Sequence, residues 1–419
     1  MKPAHVIEAV DARRADLFDL ARELVRRPSV TGDETEAQQF IAACWHGIGL
    51  TVDSWTPRRT DLEAHPAYCD DGLPVDRPVV VAQWGEGAPA QPAALILNGH
   101  IDVVPTGDPD RWRIDPFEGH IDQGLLHGRG ACDMKGGLAA LTIAVDAVIG
   151  LGVEPIRPIL LQSVTGEETG GLGTLATILR GYRADAAVIA EPTLLAMCPV
   201  HSGALTFRVH VHGLATHGAM REGGVSAIEK FWYLWRILRQ LETERHDAFV
   251  HPLFDPAALA APLSIGKLHA GNWPSTVPED AIAEGRYGVL PGESIEEARV
   301  EFERAVRAAS EADEWLRDHP VRVEWFEGQF ESGETEPGAK ILTQLAGAHQ
   351  TVIGREPRVH GVPYGSDLRL FSRHAGVPTV LYGPGDVQLA HAADESVPLE
   401  DLVTATTVLA MLICDVLDA

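Results

Sequence analysis

The sequence predicts an α/β protein: a mixed, mostly parallel sheet with helices on both faces, interrupted by an inserted α+β domain. Three observations carry that expectation. Short apolar or β-branched runs at residues 79–83, 94–101, 159–164 and 186–190 alternate with helical patterns, as strands buried on both faces of a parallel sheet do. From His201 the text switches to strict alternation, GALTFRVHVH, which suits an antiparallel strand with one wetted face. After Gly338 the first style returns, so the main domain is discontinuous, with residues 1–201 and 327–419 enclosing an insertion at 202–326.

The bulk properties agree and exclude several classes of function. A chain of 419 residues exceeds what one hydrophobic core supports, and 45% hydrophobic content marks it as globular. A formal charge of −26 argues against nucleic acid and anionic membranes as partners, since both need Lys and Arg for neutralisation. Five scattered cysteines without CxxC spacing suggest neither a disulfide framework nor a Cys-rich zinc site. No segment has the length of a membrane span and the N-terminus has no apolar signal core, so a cytoplasmic location is expected.

Taken in order, residues 10–26 have helical spacing at Leu17, Leu20, Ala21 and Leu24; Pro28 stops the pattern and SVTGDE starts a second helix. The polar, proline-punctuated stretch 52–78 reads as a long loop without chemistry. The next apolar run ends in Asn-Gly-His-Ile-Asp, which places His100 and Asp102 at the C-terminal end of a buried strand, where open α/β sheets build their sites. A lone HxD is equally an ordinary side-chain pair. Asp133, in GRGACDMKGG before an apolar helix at about 138–149, adds a second acid near the first. After ILLQSVT, the turn GEETGG sets Glu167 and Glu168 at another strand end, and EPT sets Glu191 at a third. A Glu pair alone reads as a solvated helix N-terminus. Here several acidic strand ends and one His converge on one sheet edge, and like charges gathered there need cations.

Within the insertion, VSAIEKFWYLWRILRQLE is an amphipathic helix, a charged helix follows at 294–318, and APLSIGKL, AIAEGRYGVL and VRVEWF read as strands. His391 lies in AHAADE, just before a last helix at about 399–417; on its own it would be an unremarkable surface residue.

With these stretches in hand, the chain resembles the co-catalytic di-zinc metallopeptidases and amidohydrolases that include acetylornithine deacetylase, succinyl-diaminopimelate desuccinylase, aminoacylase and glutamate carboxypeptidase. GHIDVVP, GRGACDMKGG, GEETGG, EPT and AHAADE stand in that family's order and approximate spacing along nearly the whole chain. The resemblance implies a catalytic domain with an inserted lid that also forms a homodimer. It implies two Zn²⁺ per subunit, replaceable by Co²⁺ or Mn²⁺, held by His100, Asp133, Glu168, Glu191 and His391, with Asp133 bridging. Glu167 is then the general base, taking the proton of a metal-bridging water that attacks an amide carbonyl, and Asp102 the acid that orients His100. Imidazole and carboxylate donors suit zinc, and a carboxylate bridge holds two ions about 3.5–4 Å apart. GLATH and GGVSAI match the family's lid pattern and single out His217 as the donor to the oxyanion, although the Pro that often follows that His is absent.

For substrate contacts the resemblance points to Arg286 in EGR as a carboxylate holder, with a structural salt bridge as the alternative. It places Ser275 where the family has Asn, with Asn272 three residues earlier, and Gly365, Ser366 and Asp367 in the substrate-side loop, with the turn at 383–385 shaping the pocket wall. The implied reaction is deacylation of an N-acyl amino acid or related small metabolite. A metallo-carboxypeptidase or dipeptidase with the same site is the alternative. A non-catalytic binding homologue is disfavoured, because it has no need of a base beside its metals.

Overall fold

The computed structural model describes residues 1–86 and 91–418, which divide into two compact units. The first comprises Met1–Val200, Glu334–His360 and Asp367–Ala419; the second comprises His201–Gly333 and Gly361–Ser366. The second unit runs past the expected boundary at Phe326 because its last strand, Arg322–Phe330, continues the sheet beyond that point.

A six-stranded sheet centres the first unit, in the order Thr51–Trp55, Val79–Trp84, Ile159–Val164, Leu95–His100, Ala187–Ile189 and Thr379–Leu381. Only Val79–Trp84 runs against its neighbours, and from Ile159–Val164 onward every pairing is parallel. Leu95–His100 and Ile159–Val164 are buried at every position, which requires cover on both faces. The apolar helices Gly136–Gly150 and Leu399–Asp418 pack on each other, and both are hydrophobic nearly all round, as interior helices are. Gly137 is required at its place: a Cβ there would lie 2.1 Å from the Ala190 carbonyl oxygen, so only glycine lets this helix approach the strand end that precedes Glu191.

Two expectations are corrected. The stretch 52–78 is not all loop, since Thr51–Trp55 forms an edge strand and Arg59–Leu62 a turn of helix. TVDSW does not read as a strand in sequence because an edge strand is half exposed and its polar residues mask the apolar alternation. The single helix expected over 10–26 is two, Pro3–Asp11 and Arg14–Val25.

The second unit is a four-stranded antiparallel sheet, ordered Leu263–Ala270, Asp280–Val289, Gly203–His212, Arg322–Phe330. Leu205, Phe207, Val209 and Val211 alternate inward and meet Phe231, Leu234 and Leu238 of helix Ala227–Ala248 and Phe302 and Val306 of helix Ile295–Ala312. Both helices begin on a Ser that accepts an amide three residues on, and Ser294 with Glu297 completes a capping box. Of the aromatic run on the longer helix, Phe231 is core and Trp235 half-buried, whereas Trp232 is 54% exposed.

Candidate metal centre

Strands Ile159–Val164, Leu95–His100 and Ala187–Ile189 are neighbours running the same way, so their C-terminal ends share one edge of the sheet. His100 closes the middle strand, Glu167 and Glu168 occupy the turn after one neighbour, and Glu191 follows the other. Asp133 comes from the irregular segment Ala131–Lys135, whose Asp133–Met134 peptide bond is cis. His391 comes from the loop before the last helix, with a left-handed φ of 61°, an uncommon state for a residue with a Cβ and one that clusters at functional sites.

These side chains converge. His100 Nε2 lies 3.0 Å from Asp133 Oδ1 and 3.9 Å from Glu191 Oε1. His391 Nε2 lies 3.1 Å from Glu168 Oε2 and 3.6 Å from Asp133 Oδ2. Donor atoms of His100, Asp133 and Glu168 fall within 4.8 Å of one another, and so do those of His100, Glu167 and Glu191. Glu167 is thus as close to a donor set as the residues expected to be ligands.

The orientation of His100 differs from the expectation. Its Nδ1 faces the main-chain carbonyl of Asp102 at 2.9 Å, while the Asp102 carboxylate stands off at 3.7 Å. A carbonyl only accepts, so Nδ1 carries a hydrogen toward it, and Nε2 is left facing Asp133, bonded to it while the ring is protonated and able to offer a lone pair to a cation once that proton is lost. The Asp102 carboxylate instead accepts the amides of Glu167 and Glu168 at 3.2 and 3.3 Å and the Thr31 hydroxyl at 3.2 Å. It orients the turn that carries Glu167 more than the imidazole.

Electrostatics test whether cations fit. Burial holds Glu167 and Glu191 well above the usual carboxylate range, and neighbouring acids add to it. Burial and the charge of Asp133 also raise Glu168. For Asp133 burial pushes up, but the hydrogen bond and charge of His100 and the charge of His391 pull it below its ordinary value. Burial alone would lower His100; its bond to Asp133 and the charge of Glu191 raise it well above instead, and the bond to Glu168 lifts His391 to about 9. Three raised carboxylates and two raised imidazoles mark a strongly negative pocket, and divalent cations satisfy the same field. Two imidazoles with four carboxylates are a donor set that suits zinc and its neighbours.

Residues beneath the cluster had no reading from the sequence. Arg77, 2% exposed, bonds Asp71 at 2.8 Å and lies 3.6 Å from Glu34, while the Thr169 hydroxyl donates to Asp71 at 2.7 Å. This buried group underlies the Gly166–Gly170 turn, and two of its members, Asp71 and Arg77, come from the stretch 52–78. Arg129 lies in GRGACDMKGG and Glu395 in AHAADE, yet nothing in their spacing assigns them a task.

Residues 96–415 match the model of peptidase family M20/M25/M40. The chain belongs to that family. This M20 protein is accordingly a metal-dependent hydrolase of amide bonds. It is 30% identical to the N-formyl-4-amino-5-aminomethyl-2-methylpyrimidine deformylase of Halalkalibacterium halodurans, over 96% of this chain and 94% of that one. It is 30% identical to the succinyl-diaminopimelate desuccinylase of Gluconacetobacter diazotrophicus, over 93% and 94%. Among solved structures, the dipeptidase Dug1p of Saccharomyces cerevisiae aligns with a TM-score of 0.77 at 16% identity, covering 100% of this chain and 99% of that one.

The remaining candidates of this M20 chain, apart from Asp367, are carried by the second unit. His217 Nδ1 accepts the Ala219 amide at 3.1 Å, which leaves the ring hydrogen on Nε2, free to donate. The Gly218 amide donates to the Ser275 carbonyl at 2.6 Å, so His217 and Ser275 share one corner. Among the described residues Arg286 makes no ion pair; its guanidinium donates to the carbonyls of Pro363 at 2.7 Å and Pro262 at 3.5 Å, and burial lowers it to about 10. Gly365 packs against Phe330, and Ser366 is fully buried. Asp367 belongs to the first unit, with burial raising it to about 6. Among the described residues no helix is long and apolar enough to cross a membrane.

Proposed function

We propose that this chain is a di-zinc deacylase that removes an acyl group from the nitrogen of a small amino-acid-like or related metabolite. The observation that carries the reading is the single cluster in which His100, Asp133, Glu168, Glu191 and His391 meet with Glu167 beside them. In this reading the five hold two ions, with Asp133 shared, and Co²⁺ or Mn²⁺ can replace zinc. Ions held there supply Lewis acidity toward the amide carbonyl and make the attacking water acidic near neutral pH. Glu167, buried and raised, takes that water's proton and returns it to the leaving nitrogen. Asp102 fixes the turn that presents Glu167, through the two amides it accepts. The Nε2–H of His217 donates to the oxyanion, and Arg286, whose guanidinium has no carboxylate of its own, holds an acidic group of the substrate, with Ser275, Gly365 and Ser366 lining its place.

The deacylase reading is favoured over a peptidase because the relatives at 30% identity are named for removing formyl and succinyl groups. The dipeptidase neighbour, at 16% identity, speaks for the fold alone. The enzyme works in the cytoplasm as a homodimer joined through the second unit, whose exposed Trp232 and edge strand Leu263–Ala270 are suited to pairing with a twin. A screen of N-formyl, N-acetyl, N-succinyl and N-carbamoyl compounds and dipeptides against zinc- or cobalt-loaded protein tests the reading. Hydrolysis of one acyl class and not of dipeptides is expected; turnover confined to dipeptides would overturn the deacylase assignment.

A further inference from the structure

Glu395 is 1% exposed and lies four residues beyond His391. One carboxylate oxygen accepts the amides of Cys132 and Asp133 at 2.8 and 3.0 Å; the other accepts the amide of Gly130 at 3.0 Å and the Arg129 guanidinium at 2.6 Å. Its own carbonyl accepts the Gly128 amide at 2.9 Å. The strand that follows, Ser396–Pro398, pairs with Leu125–His127, so two stretches far apart in sequence are zipped on either side of this carboxylate.

The segment that receives these bonds has no regular structure of its own. Gly130 has φ +81°, and Asp133 has φ −119° and ψ 96°, inside neither a helix nor a strand. Main-chain amides in such a bend must be satisfied one by one, and three of them end on Glu395. Arg129 extends the tie: its second nitrogen reaches the Pro105 carbonyl at 3.4 Å, and its guanidinium stands 5.2 Å from the Trp112 ring centre, both on the chain that leaves His100. One buried carboxylate therefore binds together the segments that carry Asp133, His391 and the exit of His100.

We propose that Glu395, held by Arg129, is the positioning residue for Asp133: it sets the main chain from which that carboxylate projects and fixes its spacing to His391. The inference rests on the reading of Asp133 and His391 as metal ligands. Groups that orient ligands in this way are worth about 10–100-fold in metal affinity or activity.

The test uses Glu395→Gln, which keeps the shape but turns an NH₂ toward backbone donors, and Glu395→Asp, which keeps the charge one methylene short. Zinc dissociation constants are measured by competition with a chromophoric chelator, beside the unfolding midpoint of the metal-free proteins and kcat and KM at saturating zinc. Zinc binding weakened roughly 10–100-fold, with kcat lowered and KM little changed, is expected. A folded Glu395→Gln with wild-type zinc affinity and kcat overturns the proposal. So does a lowered unfolding midpoint with unchanged zinc affinity, which assigns Glu395 to the fold alone. If the Gln variant does not fold, the Asp variant decides by the same criterion. Wild-type protein that takes up no divalent ion sinks the metal-centre reading itself, an outcome separate from any difference between variants.

Discussion

Glu167→Gln isolates the general base from the donors around it. The side chain is 7% exposed, and the Glu167 main-chain amide, not its carboxylate, bonds Asp102, so an isosteric amide leaves that contact and the turn undisturbed. What is lost is a proton acceptor, worth about 10²–10⁴ in turnover, or roughly 3–6 kcal/mol at about 1.4 kcal/mol per tenfold. The metal-free protein should not lose stability, because the wild-type carboxylate is held up by burial and by the charges of Glu191, Asp367 and Glu168, and the amide removes that burden. The assay is kcat on the best acyl substrate, with zinc content by elemental analysis and thermal unfolding of the metal-free form. Turnover within tenfold of wild type would refute the base assignment. Loss of metal together with turnover would refute it differently, by making Glu167 a ligand alongside His100 and Glu191, whose donor atoms lie within 4.8 Å of it.

Two other predictions test what surrounds the centre. Arg77→Met leaves Asp71 and Glu34 buried without their cation and should cost about 3–5 kcal/mol, a fall in unfolding midpoint on the order of 10 °C; a change under about 2 °C would show that the pair contributes little. If the His217 of each subunit completes its partner's site, as the lid resemblance implies, co-expression of His217→Ala with Glu167→Gln should restore about a quarter of full activity, since about half the dimers are mixed and each then holds one intact site of two. Mixed dimers that form but hydrolyse nothing would rule out sharing across the interface.

The sheet and the donor cluster were legible because both are written in side chains. Four apolar runs announced their strands, and each acid at a strand end announced the edge where they meet. What the sequence did not disclose is written in the main chain or in isolated charges. His100 is oriented by a carbonyl, a group every residue carries, so no residue type could signal it. Glu395 spends its carboxylate on amides of a bend whose shape exists only after folding. Arg77 sits alone in a polar stretch, and its burial depends on Glu34 and Asp71, whose contact no local pattern encodes. The edge strand Thr51–Trp55 lacks the burial that makes strands visible.

The first unit is assembled from both ends of the chain, with the second unit threaded between them. On the ribosome, His100, Asp133, Glu168 and Glu191 emerge long before His391 and Glu395, and for most of synthesis four of the five proposed donors exist without the fifth. The four strands of the second unit all lie within 203–330 and can pair before its segment Gly361–Ser366 and before the last helix of the first unit and the strand that precedes it. The nascent chain thus passes through a stage with a complete four-stranded sheet and an acidic, half-built pocket. On the di-zinc reading, the full donor set exists only once the segment carrying His391 has joined the others.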